Sequence, residues 1–187
     1  MRHKILPDLI DKAESGLRPK RLNIWSAASS TGQEAYSVAM TLQEVIPDIH
    51  TWNISIFGTD VSADAIDKAR NGVYSELEIG RGLDDSKRAN FFISENGQWK
   101  VTNQIREMVH FERRNLLAPF SENDSFDLVL CRNVAIYFEK DQRDLLFKRL
   151  VDTMIPGGYL IVGAAESLSD LGPEFAPQTH CNCTVYR

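Results

Sequence analysis

Short apolar runs alternate with amphipathic segments along most of this chain. An apolar run bounded by turn residues is typical of a buried strand, whereas apolar residues three and four positions apart are typical of a helix. Strands are predicted at about Leu22–Ala27, Asn53–Thr59, Val109–Arg113, Phe126–Cys131, Tyr159–Val162 and Cys183–Tyr186. Helices are predicted at about Ile5–Ala13, Gln33–Val45, Ala63–Asn71 and Lys140–Met154. This alternation indicates an α/β fold with a doubly wound, mostly parallel sheet.

The region from Tyr74 to Arg106 interrupts the alternation. Its pattern predicts helix as far as about Phe92, followed by a short β-hairpin over Phe92–Val101. Asn96-Gly97 stands between the two arms of this hairpin, and Asn-Gly is a strong signal for a two-residue turn. We therefore expect one domain over residues 1–187 with a small helical and β-hairpin subdomain inserted at about residues 74–106.

Composition narrows the class of protein. A chain of 187 residues that is 43% hydrophobic can bury the core of one domain. Its 21 basic and 26 acidic residues include no long basic run, so nucleic acid is not expected as a partner. No run of apolar residues is long enough to span a membrane, and the first residues do not resemble a signal peptide. We expect a cytoplasmic protein without membrane insertion.

The three cysteines indicate neither a disulfide framework nor a metal site. Cys181-Asn182-Cys183 is a single C-x-C pair, and a zinc site needs a second pair of ligands. Cys131 ends an apolar strand-like run. We expect all three to be ordinary core or strand residues, and no metal to be bound.

Two features point to a nucleoside cofactor. Six small residues, from Ser26 to Thr31, precede Gly32 at the first strand-to-helix turn, where they allow a ligand to approach the backbone. Asp60 ends the second strand, the position of a ribose-binding acid in Rossmann-like sites. The loop has one glycine rather than the dinucleotide-binding pattern, and Glu34 near the helix start disfavours phosphate. S-adenosylmethionine, which carries an ammonium and a sulfonium, meets these conditions.

Five segments, taken in order, resemble one known family. They are Trp25–Ser37, Gly58–Ser62, Asn115-Leu116-Leu117, Cys131–Phe138 and Pro156–Leu160. Their order and spacing are similar to those of the chemotaxis receptor methyltransferases, the CheR family, from about Leu6 to the end of the chain. The resemblance implies a Rossmann-like class I methyltransferase fold and S-adenosyl-L-methionine as the methyl donor, with S-adenosyl-L-homocysteine as product. It also implies that a methyl-accepting chemotaxis receptor provides glutamate side chains as acceptors.

The resemblance implies roles for individual residues. The cofactor-binding set is Ala28, Thr31, Glu34, Asp60, Asn115, Leu116, Arg132 and Asn133. Ala28 and Glu34 are implied to line the methionine end of the cofactor, and Asp60 to bind the ribose. Asn115 and Leu116 are implied to flank the adenine. The catalytic pair is Arg132 and Tyr137, which are implied to lie near the sulfonium and the acceptor with Asn133.

Each of these residues also has a purely structural interpretation. Asp60 is in position to cap the following helix. Arg132 is of a type that often forms surface ion pairs, and Asn115 suits a turn. Tyr36 and Tyr137 are typical of core aromatic residues with a satisfied hydroxyl. Taken singly these alternatives are strong, but the ordered set favours the functional interpretation.

The sequence also departs from the family pattern. Full-length members begin with a small helical domain and carry an Asn-x-Thr-x-Phe-Phe-Arg segment that contributes to the cofactor site. Neither is in this sequence, so an excised catalytic domain and a degenerate gene product are both open. Gly163-Ala164-Ala165-Glu166 has two alanines where many relatives carry His-Ser.

Three functions remain compatible with these features. The first is a protein-glutamate O-methyltransferase, expected to be monomeric. The second is a noncatalytic module that binds S-adenosylmethionine or S-adenosylhomocysteine. The third is a methyltransferase for a small carboxylate or for another protein.

Overall fold

The computed structural model of this chain describes residues 1–80, 82–120, 124–168, 172, 177–180 and 183–186, with the backbone alone for residues 178–180, 183 and 184. The helices are α1 Ile5–Glu14, α2 Gln33–Val45, α3 Ala63–Asn71, α4 Glu76–Ile79, α5 Asp85–Phe91, α6 Asn103–Arg106 and α7 Lys140–Asp152. The strands are β1 Arg21–Ala27, β2 Asn53–Asp60, β3 Val73–Ser75, β4 Phe92–Glu95, β5 Gln98–Val101, β6 Val109–Arg113, β7 Phe126–Cys131, β8 Met154–Val162, β9 Gln178–His180 and β10 Cys183–Tyr186.

Seven strands form the main sheet in the order β6-β2-β1-β7-β8-β10-β9. The pairs from β6 to β8 are all parallel, and β10 runs antiparallel to both of its neighbours. The chain first builds outward from β1 through β2 to β6 and then continues on the other side with β7 and β8. The prediction of a Rossmann-like, doubly wound and mostly parallel sheet is therefore confirmed, with the reversal of strand order beside β1.

Apolar side chains cover both faces of this sheet. On one face, residues of α1, α2 and α3 are buried together with Leu22, Ile24, Ile56, Leu128 and Leu130. On the other face, Leu146, Phe147 and Leu150 of α7 are buried together with Trp25, Val129 and Leu160. Every residue of β7 is buried, as expected for a central parallel strand. The two layers leave the carboxyl ends of the strands free to form a site.

The end of α7 differs from the sequence prediction. The helix ends at Asp152 rather than Met154, because Met154 pairs with Phe126 as the first residue of β8. The predicted strand began only at Tyr159, and the intervening Pro156-Gly157 conceals the earlier pairing. The cause is a contact between distant strands, which helical periodicity does not register.

The inserted region is a three-stranded antiparallel sheet in the order β3-β5-β4. The predicted hairpin is confirmed: β4 and β5 pair around Asn96 and Gly97, whose φ angles are 52° and 73°. The prediction of helix at Tyr74 was wrong, because Tyr74 lies in β3 and pairs with Trp99 of β5. Three residues are too few to show strand periodicity. The short elements α6 and β9 were not predicted, and the Cys181-Asn182-Cys183 pattern lies outside the residues whose side chains are described.

Glu78 ties this inserted sheet to α3. Its carboxylate accepts hydrogen bonds from the Ser75 backbone N–H at 2.9 Å and the Ser75 hydroxyl at 2.8 Å, and it forms an ion pair with Lys68 of α3. The hydrogen bond from Lys68, together with those from Ser75, lowers the pKa of Glu78 to about 2. The ionised carboxylate is therefore the form that holds α4 against α3.

Replacing Glu78 with glutamine is expected to lower the free energy of unfolding by about 1 kcal/mol at neutral pH, because the Lys68 pair loses its anion. The pKa of Glu78 is lower in the folded chain than the ~4.3 of an unperturbed glutamate, so this contribution is complete above about pH 4.3. It is lost as the pH falls toward about 2. Urea denaturation at a series of pH values should show the difference between wild type and variant shrinking over that range, and a constant difference would contradict this account.

Candidate functional site

The residues predicted for the site follow the carboxyl ends of neighbouring strands. Ala28 follows β1, Asp60 ends β2, Asn115 comes shortly after β6, and Arg132 follows β7. Because β6, β2, β1 and β7 are adjacent and parallel, these ends meet at one edge of the sheet, where the strand order reverses. Open α/β sheets bind their ligands at this place. We call it the cofactor edge.

The loop from Ala28 to Gly32 has a strained backbone. The φ angles of Ala28, Ser30 and Gly32 are 58°, 50° and 93°. A Cβ atom on Gly32 would lie 2.9 Å from the ring of Phe111, so both conformation and space require glycine there. Four non-glycine residues have a positive φ in the described chain, and three of them, Ala28, Ser30 and Asn133, lie at this edge. Such strain is concentrated at ligand sites and persists only where the surrounding structure enforces it.

Asp60 joins two loops of the cofactor edge. One carboxylate oxygen accepts from the Ser30 N–H and the other from the Ser62 N–H, each at 2.9 Å. The cap of α3 is Ser62, whose hydroxyl accepts from the Ala65 N–H at 3.2 Å. The capping interpretation of Asp60 was therefore wrong. Each oxygen of Asp60 retains a lone pair that can accept from a ligand hydroxyl.

Glu34 and Arg132 form an ion pair across the cofactor edge. Glu34 lies in the first turn of α2, where one carboxylate oxygen accepts from the Ser26 hydroxyl at 2.8 Å. The other oxygen lies 3.2 Å from Nη1 of Arg132. The side chains are 23% and 44% exposed, so both remain accessible to solvent. The ion-pair interpretation of Arg132 is confirmed, and its partner is another predicted site residue.

Thr31, Asn115 and Leu116 make local contacts or lie in the core, unlike Glu34 and Arg132. The Thr31 hydroxyl lies 2.5 Å from the Gln33 side-chain oxygen, and the Thr31 carbonyl accepts from Tyr74 of β3. Asn115 accepts from the backbone N–H two residues later at 2.9 Å, so the turn interpretation is confirmed. Leu116 is buried in the core with α7. A role for these three at the cofactor remains a prediction.

The two tyrosines that we considered as core residues behave differently. Tyr36 is buried, and its hydroxyl donates to the Ala69 carbonyl at 2.7 Å, so the core interpretation is confirmed. Tyr137 is 80% exposed, so the same interpretation was wrong for this residue. Within the described part of the chain, the hydroxyl of Tyr137 has no hydrogen-bond partner. The hydroxyl is therefore accessible for a hydrogen bond to a bound molecule.

Glu166 is a residue of the site that sequence reasoning missed. Its carboxylate accepts from the backbone N–H of Asn133 at 2.8 Å, although the two residues lie 33 positions apart. The sequence drew attention to Gly163–Glu166 only for its alanines. The burial of Glu166 and its backbone partners, which identify its role, appear only in the structure.

Cys131 is excluded as a nucleophile. Burial raises the pKa of its thiol, and the nearby charges of Glu166 and Glu34 raise that pKa further. The thiol therefore stays protonated at neutral pH, whereas nucleophilic attack requires the thiolate.

The chemical groups at this edge suit a nucleoside that carries an amino-acid group. An acid in the first turn of α2 offsets the positive end of the helix dipole, so Glu34 favours a cation over a phosphate. Asp60 can accept from ribose hydroxyls. The buried hydroxyl of Ser29 has no hydrogen-bond partner among the described residues, which leaves one polar group of the loop unmatched. This donor set fits S-adenosylmethionine.

In the described residues, no helix is both long enough and apolar enough to cross a membrane.

Known proteins resemble the chain over almost its whole length. The family model described as CheR methyltransferase, SAM binding domain, matches residues 1–183. Chemotaxis protein methyltransferase 1 of Vibrio cholerae is 40% identical over 183 residues, which cover 96% of this chain and 64% of that protein. Chemotaxis protein methyltransferase 1 of Pseudomonas aeruginosa is 38% identical over 188 residues, with 97% and 66% covered. The chain thus spans just under two thirds of the length of these relatives, and it belongs to the CheR methyltransferase family as a S-adenosylmethionine-binding domain.

Proposed function

We propose that this chain transfers a methyl group from S-adenosylmethionine to glutamate carboxylates of chemoreceptors. The observation that carries the proposal is the pair of Glu34 and Arg132 at the cofactor edge, beside the strained loop and Asp60. This pair offers one charge of each sign to a zwitterionic amino-acid group. The names of the relatives, which are chemotaxis methyltransferases, support the class of acceptor.

In this proposal the chain holds the cofactor by its two polar ends. Glu34 receives the ammonium of the amino-acid end, and Asp60 receives the ribose hydroxyls while it keeps the loop in place through Ser30. The small side chain of Ala28 lets the ligand approach the main chain. When bound, the cofactor supplies an electrophilic methyl group on its sulfonium.

The proposed acceptor needs no general base. A glutamate side chain has an unperturbed pKa of ~4.3, so it is already a carboxylate at neutral pH. The remaining task is to hold the acceptor close and aligned. The Arg132 guanidinium has five N–H donors, so beside its contacts with Glu34 and the amino-acid end of the cofactor it can also attract the acceptor carboxylate. The exposed hydroxyl of Tyr137 can donate a hydrogen bond to the same carboxylate.

Exposed apolar side chains around the cofactor edge favour a protein acceptor over a small carboxylate. They follow the carboxyl ends of three of the four parallel strands at this edge and are Val61 after β2, Leu117 after β6, and Ile136 and Tyr137 after β7. Apolar residues grouped on a surface mark sites of contact with other proteins. A small acceptor would leave most of them in water.

Two measurements test the proposal in sequence. Calorimetric titration of S-adenosylhomocysteine into the purified chain is expected to show saturable binding to one site. Incubation with methyl-labelled S-adenosylmethionine and a purified chemoreceptor cytoplasmic fragment is then expected to give label that alkali releases, because carboxylate methyl esters hydrolyse in base. The control is the same fragment with its acceptor glutamates replaced by glutamine, which should stay unlabelled.

The outcomes separate the competing functions. Binding without transfer to any acceptor would indicate the noncatalytic binding module. Transfer to other proteins or to small carboxylates but not to the receptor fragment would indicate a different methyltransferase. An absence of binding would contradict the proposal for this chain.

A further inference from the structure

The carboxylate of Glu166 accepts hydrogen bonds from four backbone N–H groups. One oxygen accepts from Gly163 at 2.7 Å and from Asn133 at 2.8 Å. The other accepts from Val134 at 2.9 Å and from Ala135 at 2.8 Å. Glu166 is only 5% exposed. Because each carboxylate oxygen has two lone pairs, all four acceptor positions are filled by the main chain.

The backbone conformation around this carboxylate allows the N–H groups to approach it. Asn133 has a φ angle of 60°, in the left-handed region. A Cβ atom on Gly163 would lie 2.6 Å from both the Glu166 carboxylate and the Asn133 side-chain oxygen, so only glycine fits. Glu166 therefore joins the turn after β8 to the turn after β7. Without it, three successive N–H groups at the cofactor edge would lose their acceptor.

We propose that Glu166 is a positioning residue of the cofactor site and that it acts through Arg132. Arg132 directly precedes Asn133, and its guanidinium reaches Glu34 at 3.2 Å. Glu34 is its only hydrogen-bond partner among the described residues, so its direction depends on this one carboxylate and on the backbone that carries Arg132. This inference rests on the proposed function, in which Glu34 and Arg132 hold the amino-acid end of the cofactor.

The variant Glu166→Gln tests this role with little change in shape. The amide has one acceptor oxygen and one NH₂ group, so two of the four hydrogen bonds are lost and the NH₂ group faces two backbone N–H donors. The ligands are S-adenosylhomocysteine and 5′-methylthioadenosine, which shares the nucleoside and the sulfur but lacks the amino-acid group. The variant is expected to bind the first about tenfold more weakly and the second less than about twofold more weakly than wild type.

Asp127→Asn is the matched control. Asp127 is also a buried carboxylate that accepts a backbone N–H, from Asn23 at 2.7 Å, but it lies near the amino end of β7, away from the cofactor edge. Calorimetric affinities of this variant should equal those of wild type for both ligands. Circular dichroism shows whether each variant is folded. This check is needed because a loss of folded protein would weaken the binding of both ligands alike.

Equal weakening of both ligands by Glu166→Gln, or no weakening, would overturn the inference while leaving the proposed cofactor site intact. If this variant does not fold, Arg132→Gln replaces an exposed side chain and must show the same selective loss of S-adenosylhomocysteine. If Arg132→Gln binds S-adenosylhomocysteine with wild-type affinity, the inference that Glu166 acts through Arg132 is overturned. Failure of the wild-type chain to bind either nucleoside would overturn the cofactor site and this inference with it.

Discussion

An Asp60→Ala variant is expected to bind S-adenosylhomocysteine about 100-fold more weakly than the wild-type chain, since hydrogen bonds to a charged group contribute about 1.5–3 kcal/mol each. Two losses combine. The proposed acceptor of the ribose hydroxyls disappears, and the Ser30 and Ser62 N–H groups lose the carboxylate that holds them at 2.9 Å. The strained loop is then free to leave the conformation in which a ligand can approach it.

Calorimetric titration measures the effect, with two variants for comparison. Asp60→Asn keeps one acceptor oxygen and should lose about tenfold in affinity, which is intermediate. Asp64→Ala removes a neighbouring exposed carboxylate of α3 that is not at the site, so its affinity should match that of wild type. An Asp60→Ala variant that binds as tightly as wild type would show that the cofactor edge is not the binding site.

Asp127→Ala is expected to destabilise the fold by about 3–5 kcal/mol, the usual cost of removing one partner from a buried ion pair. Asp127 is 1% exposed and accepts from the Arg18 guanidinium at 2.5 Å and from the Asn23 N–H at 2.7 Å. Nε of Arg18 is already buried without a hydrogen-bond partner among the described residues. The guanidinium also donates to the Arg21 carbonyl at 2.7 Å, but Asp127 is its one anionic partner among those residues. Alanine would leave the cation facing an apolar strand.

Urea denaturation gives the change in unfolding free energy, and thermal unfolding should show a midpoint lower by about 6–20 °C for a chain of this size. The affinity of the remaining folded protein for S-adenosylhomocysteine, measured well below that midpoint, should be unchanged because Asp127 lies away from the cofactor edge. Arg18→Lys keeps the charge and should cost less. Unaltered stability in Asp127→Ala would contradict a structural role for the pair.

Much of the fold followed from local patterns in the sequence. The bounds of α2, α3, β6 and β7 matched their predictions because each element has its own periodicity and its own end signals. The errors at Tyr74 and Met154 have one cause. Both residues belong to strands whose partners lie elsewhere in the chain, Trp99 for Tyr74 and Phe126 for Met154. Strand pairing of this kind has no local signature.

In the candidate site, too, some residues could be predicted from the sequence and others only from the structure. The small-residue loop and Asp60 were visible in the sequence because small residues at the first strand-to-helix turn and an acid at the end of the second strand are typical of nucleotide-binding α/β sheets. Glu166 was not, since its four partners are backbone N–H groups, which every residue except proline possesses. Sequence letters do not report which N–H groups converge on one carboxylate.

The sequence by itself determined the alternation of strands and helices, the nucleoside-type loop after β1 and the family to which the chain belongs, since these depend on residue types at short spacings. Only the tertiary structure decided which charges meet. Glu34 and Arg132 are 98 positions apart, and Arg18 and Asp127 are 109 apart. Their pairing depends on the order of strands in the sheet, because parallel strands bring distant segments of chain to the same edge.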